Sequence, residues 1–151
     1  MKAKRGFTLV EILIVVVILG ILAAIVIPQF TQASSEAKTN SLCSDLQTLR
    51  SQIELYKCQH NDVNPALATF PGQMVYTSTI AGLASTDKVR TDPYNFGPYL
   101  ERVPENPFTG LNTVVAADAG PDGAGWVYNE TTGEIKANSD STVDSAEHVT
   151  Y

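Results

Sequence analysis

The sequence predicts an α+β chain: one long N-terminal α-helix, membrane-spanning in its first half and amphipathic in its second, packed on a small antiparallel β-sheet head. Three patterns predict it. Residues 12–27 are sixteen consecutive apolar or glycine positions. Leucine, isoleucine and aromatic side chains then recur at steps of four and three up to residue 60, a helical period. Beyond residue 61 turn residues dominate, and three short stretches of β-branched or alternating character follow. These patterns divide the chain into a leader at 1–6, an apolar helix at 7–28, an amphipathic helix at 29–61 and a head at 62–151.

Composition narrows the function. The chain is 44% hydrophobic, but once the apolar run is set aside the remainder supports one small core and no large enzyme cleft. An enzyme is therefore not predicted. The formal charge is −6, and three of the ten basic residues, Lys2, Lys4 and Arg5, stand ahead of the apolar run. The remaining seven face sixteen acids, a balance that repels nucleic acid. A basic cluster directly before an apolar segment holds that end on the cytoplasmic side, so the acidic head is expected on the other side of the membrane.

Residues 7–27 as a helix measure about 31 Å, the hydrocarbon thickness of a bilayer. A cleavable signal peptide ending at Thr31-Gln32-Ala33 competes with this reading. Against it, the apolar run exceeds the usual signal core, and Glu11 interrupts it where an acid is costly. A carboxylate in a bilayer helix costs about 2.5–3.5 kcal/mol at the centre and less near an end, so it calls for a partner. Lys4 and Arg5 are close in sequence. Cleavage between Gly6 and Phe7 would create another partner, an α-amine one helical turn from Glu11 in its own chain, or one supplied by a neighbouring chain.

The stretch Gly6-Phe7-Thr8-Leu9-Val10-Glu11, behind a basic leader and ahead of an apolar helix with Gly20 and Pro28, resembles the prepilin N-terminus of type IV pilins and type II secretion pseudopilins. The resemblance implies cleavage between Gly6 and Phe7 by a prepilin peptidase, which is also the methyltransferase that N-methylates Phe7. It further implies polymerisation with copies of itself and other pilin-like subunits on an inner-membrane assembly platform. In that family the carboxylate matching Glu11 pairs with the methylated amine of an adjacent subunit. Two charges withheld from water gain far more by meeting than a surface pair does, so the pair fixes the register between subunits. Residues 49–65 (LRSQIELYKCQHNDVNP) resemble the helix end of the major type II pseudopilin, which favours a secretion pseudopilus over an adhesive or retracting pilus. The implied localisation is the bacterial inner membrane, single-pass with the head extracytoplasmic, and then a periplasmic or cell-surface filament.

Gly20 and Pro28 are the weak points of the apolar helix, because glycine adds backbone freedom and Pro28 has no N–H for the carbonyl of Ala24. A helix break, at the least a kink, is expected there, with a gently bent continuous helix as the alternative; in the resembling family the segment between the matching positions can unwind. Residues 31–41 are polar apart from Ala33 and Ala37 and should leave the lipid. Leu42, Leu46, Leu49, Ile53, Tyr56 and His60 form one stripe whose expected partner is the chain's own sheet. Cys43 and Cys58 lie off that stripe. On one uninterrupted helix they are about 22 Å apart, too far for a bridge. His60 is read as packing or capping, with no second ligand at metal spacing.

The helix should stop before Pro65. Residues 74–79 read as a strand by their β-branched and aromatic content. Residues 92–110 contain Pro93, Pro98, Pro104 and Pro107 and should form a surface loop anchored by Tyr99, Leu100 and Phe108. Residues 113–116, 125–129 and 134–137 read as strands, the last two joined by a hairpin turn at 130–133 with Gly133 free to take a positive φ. Asp118-Ala119-Gly120-Pro121-Asp122-Gly123 is a turn whose oxygens would suit calcium, as a C-terminal loop does in major pseudopilins; its spacing is not that of an EF-hand, and a simple turn is the preferred reading. Asn129-Glu130-Thr131 matches a glycosylation triplet of the kind that arises by chance. No cofactor, metal ligand or catalytic residue is assigned.

Overall fold

A computed structural model of the chain describes residues 7–116 and 123–138. The leader at 1–6, Asp118 to Asp122 of the expected turn, and residues 139–151 lie outside the described residues.

Helix α1 runs Leu9–Gln59 without interruption and carries both expected helical segments. Pro28 is inside it. Its end is built from the sequence His60-Asn61-Asp62: Asn61 and Asp62 both adopt positive φ, and the Asp62 amide donates back to the carbonyl of Lys57 at 3.0 Å. Asparagine and aspartate tolerate that conformation better than most side chains, so the helix stops before Pro65 is reached. Contacts divide the chain into two compact units, Met1–Ala37 and Lys38–Tyr151.

Within the second unit the stripe Leu42, Leu46, Leu49, Ile53 and Tyr56 is buried, each residue at most 1% exposed. It joins Trp126, Tyr128 and Ile135 of the sheet, with Phe70 and Met74, in one core. Burying side chains of this size contributes about 1.5–3 kcal/mol each, which makes the stripe the main tie between helix and head. The guanidinium of Arg50 adds a hydrogen bond to the carbonyl of Ile135 at 3.3 Å.

The sheet comprises β1 (Val114–Val115), β2 (Trp126–Tyr128) and β3 (Ile135–Ala137), in that order. Strands β2 and β3 form the expected antiparallel hairpin, with Tyr128 opposite Ile135 and Gly133 at φ 77° in the turn. Strand β1 instead runs parallel to β2, so the sheet is mixed rather than antiparallel throughout. Residues 116–125 separate the two strands in sequence.

Residues 74–79 do not form a strand. Phe70–Val75 is a short helix, α2, with Pro71 in its first turn, where a fixed φ favours helix and the missing N–H is no loss. Extended pairing survives only at Ser78, which bridges Ala84 and Phe96. The proline-rich loop is anchored as its apolar residues suggest: Tyr99 and Leu100 are buried, with Val103 beside them, and Phe108 packs against the core. Tyr99 and Leu100 both donate their amides to the carbonyl of Met74, at 2.9 and 2.8 Å.

Candidate functional site

The start of α1 brings together the residues around the expected processing point. Thr8 precedes the first helical residue and serves as its N-cap, while Glu11 is the third residue of the helix. The hydroxyl Oγ1 of Thr8 accepts the Glu11 amide at 3.3 Å. In return Glu11 Oε2 accepts the Thr8 amide at 2.7 Å and the Thr8 hydroxyl at 2.8 Å. This is a reciprocal capping box, satisfying amides that the first helical turn otherwise leaves without a partner. Such partners matter most where water is absent.

Sequence reasoning identified Glu11 as an acid in need of a partner but missed Thr8. The signal was present, since Thr8-Leu9-Val10-Glu11 spells the threonine-to-glutamate spacing of that motif. Lys4, Arg5 and Gly6 lie outside the described residues, and Phe7 is 83% exposed.

Beyond the cap, α1 presents an apolar surface that no described residue of its own unit covers. Every large apolar side chain between Leu9 and Ile27 is at least half exposed. It is the one helix among the described residues long and apolar enough to cross a membrane. Leaving so many such side chains in water is strongly unfavourable, so this segment requires lipid or other apolar helices around it. Glu11 is the single charged side chain in residues 7–35. At Gly20 an added Cβ would meet nothing within 4 Å, and the helix continues through both Gly20 and Pro28 in the single chain. The Thr31 hydroxyl bonds the carbonyl of Ile27 at 3.1 Å just after the proline.

The head shows structural roles for the other residues singled out. His60 stacks on Tyr56 with ring centroids 3.8 Å apart. Its Nδ1 donates to the carbonyl of Tyr56 at 2.8 Å, which leaves Nε2 to pair with the Ser78 hydroxyl at 3.0 Å. Both nitrogens are engaged in packing, as the sequence suggested. Cys43 is half-buried and Cys58 exposed; both are free thiols on the continuous α1. Among the described residues no three His, Cys, Asp or Glu side chains gather as a metal site would require. Asn129 Oδ1 accepts the amides of Thr131 and Thr132, holding the hairpin turn.

Two further residues position the head and were not legible. Asn106 is buried and donates to the carbonyls of Gly125 and Asn138, while its own oxygen accepts the Phe108 amide. Asn64 donates to the carbonyls of Glu130 and Thr131, tying the segment after α1 to the β2–β3 turn. Nothing in the local sequence of either asparagine distinguishes it from an ordinary loop residue.

Comparison with known proteins bears on the same segments. The family model for the prokaryotic N-terminal methylation motif matches residues 1–27. The chain is 31% identical over 126 residues to the type II secretion system core protein G of Escherichia coli (strain K12), covering 80% of this chain and 77% of the relative. It is 33% identical over 112 residues to the protein of the same name from Pseudomonas aeruginosa, covering 71% and 70%. With the corresponding protein of Dickeya chrysanthemi the identity is 32% over 112 residues, covering 71% of this chain but 65% of the relative's own length. The match to the Pectobacterium carotovorum relative likewise spans 62% of that protein. No solved structure matches the chain.

Proposed function

The chain belongs to the type II secretion system core protein G family, and from that premise we propose that it is a structural subunit polymerising into a secretion pseudopilus. A prepilin peptidase cuts between Gly6 and Phe7 and methylates the new amine of Phe7. Residues 7–28 hold the subunit in the inner membrane with its head extracytoplasmic, and an assembly platform transfers it into a filament with other pilin-like subunits. Its work is mechanical.

The observation that carries this reading is an apolar helix surface left exposed among the described residues, bearing one capped carboxylate. Passage from lipid into a bundle of identical helices keeps such side chains away from water, so the hydrophobic contribution is preserved. The carboxylate supplies what apolar contacts lack, a single register. Sliding one helix past another would strand Glu11 without the neighbour's ammonium, and an uncompensated buried charge costs about 3–5 kcal/mol. Gly20 and Pro28 are the positions at which we propose that α1 opens in the polymer, because Pro28 already removes one helical hydrogen bond.

Intact mass of the natural product and electron microscopy of sheared surface fractions test the reading together. The expected mature chain starts at Phe7 and carries one methyl group. Glu11→Ala is expected to accumulate in the membrane at normal levels while filaments disappear. A product starting at Ser34, one retaining Met1, or normal filaments from Glu11→Ala would overturn it.

A further inference from the structure

The head carries two exposed apolar features of opposite shape. The concave one lies where α1 ends: Tyr56, His60, Val63, Ala66, Ile80 and Gly82 line a depression of about 260 Å³. One buried side chain clamps its walls, because Gln73 Oε1 accepts the Ala66 amide at 2.8 Å and Gln73 Nε2 donates to the Gly82 carbonyl at 2.7 Å. Val63 and Ile80 on its rim, with Leu83 on the same turn as Ile80, are each more than half exposed. A socket held open by hydrogen bonds does not collapse to hide such side chains, so its rim gains from an apolar occupant.

The convex feature is a knob at Val89, 73% exposed between Lys88 and Arg90. Both basic side chains fold back on the loop that carries Tyr99. Lys88 Nζ donates to the Glu101 carbonyl at 2.7 Å and Arg90 Nε to the Gly97 carbonyl at 2.8 Å. These bonds fix the knob in place and keep two positive charges beside it.

Socket and knob belong to opposite flanks of α1. At about 100° per residue, Asp45 and Gln59 fall on one side of the buried stripe and Arg50 on the other. The loop under the knob meets the first side: the Tyr99 hydroxyl donates to Gln59 Oε1 at 2.8 Å, and Glu101 shares a groove with Asp45. The socket is tied to the second. Asn64, which also lines it, donates to the carbonyl of Glu130 in the β2–β3 turn, and Arg50 reaches the carbonyl of Ile135 in β3.

Their charges are complementary. Asp62 adjoins the lining residue Val63, and the Glu130 carboxylate accepts the Leu67 amide next to Ala66, while no lysine or arginine lines the socket among the described residues. Beside the knob the one acid, Asp87, is outnumbered by Lys88 and Arg90. Two sockets face to face would oppose like charges, whereas a knob meeting a socket brings unlike charges together.

We propose that the socket at the end of α1 receives the Val89 knob of a second copy. A contact between different patches on opposite flanks repeats without closing on itself, and so extends into a filament rather than ending at a dimer. The inference rests on the pseudopilus reading and adds a contact between heads that sets which copies are neighbours.

The test uses the full chain in cells that assemble filaments, with Cys43→Ser and Cys58→Ser removing the native thiols. Chains carrying Val63→Cys and chains carrying Val89→Cys are produced separately or together and treated with a short bismaleimide. A cross-linked dimer should form when both are present and be absent when either is produced alone. Val89→Glu, at a position too exposed to disturb folding of the head, should lower filament yield at least roughly tenfold, the factor that burying one valine contributes, while mature subunits accumulate in the membrane. Where Val63→Cys itself stops assembly, Ile80→Cys takes its place. Filaments that give no cross-link from the mixed chains, a cross-link from either variant alone, coupling of the Val63→Cys chain to a different protein, or full yield from Val89→Glu would each overturn the contact. Absence of filaments from the wild type is the separate result that removes the pseudopilus reading, and this contact with it.

Discussion

An added methyl group at Gly125 would run into the carbonyl of Leu111 and crowd the amide of Asn112. The residue is buried beside β2, donates its amide to Thr113 at 3.0 Å and receives the Asn106 side chain on its carbonyl. Backbone on both sides leaves no flexible neighbour to yield. Gly125→Ala is therefore expected to lower head stability by about 2–3 kcal/mol, the cost of overpacking a rigid site. Circular dichroism during urea titration of the detergent-solubilised chain would measure it, and an unchanged midpoint would contradict the packing described. This constraint was not readable beforehand, because it depends on residues 111 and 125 meeting in space. Thr8 and Glu11 differ in that respect. Their whole interaction is contained in four consecutive residues, and a local motif of that kind is legible in any sequence once the helix start is placed.

Elements divided in the same way between local and distant causes. The stripe on α1 was legible because its five buried residues obey one helical period, and β2 and β3 because alternation and a glycine turn specify a hairpin locally. The parallel partnership of β1 was not, since its two valines allow either direction. Residues 74–79 were misread because β-branched and aromatic content is a weak preference, overridden here by Pro71 and by contacts of Met74 with the core. For α1 the consequence is quantitative. Leu49 is fully buried and Leu55 is 43% exposed on the same helix, so Leu49→Ala should cost about 2–5 kcal/mol and Leu55→Ala no more than about 0.5 kcal/mol. The same titration compares them, and similar losses for both would mean that the stripe does not face the sheet.

At the scale of the whole molecule, the two compact units have opposite needs: the first presents apolar surface and the second encloses it. Three tyrosines in the second unit give it a pH limit. Burial, reinforced by neighbouring Tyr99, pushes the Tyr56 hydroxyl up to about 12. Burial also pushes Tyr99 up to about 12, against opposing contributions from Ser78, Arg90 and Gly97. Tyr128 is raised further by burial, then by Glu130 and Tyr56, while its hydroxyl donates to the Pro65 carbonyl. An unfolded tyrosine ionises near about 10, so the folded head holds these protons more tightly than the unfolded chain does. Their contribution is complete below about pH 10 and is lost as pH rises toward about 12. The urea midpoint should stay level up to the first value and decline beyond it, with a shallower decline in Tyr56→Phe. A midpoint indifferent to alkali would show that these hydroxyls are hydrated.

The placement of Trp126 has a practical consequence. It is the sole tryptophan of the chain, fully buried in β2, with its indole Nε1 donating to the Pro104 carbonyl. Residues 1–37 contain neither tryptophan nor tyrosine. Light absorbed by the indole is therefore emitted from the head alone, and a shift in the colour of that emission reports wetting of the sheet whether the preceding helix lies in detergent, in a bilayer or among its sisters. Nature has installed an optical probe that distinguishes a damaged head from a misassembled stem without any label.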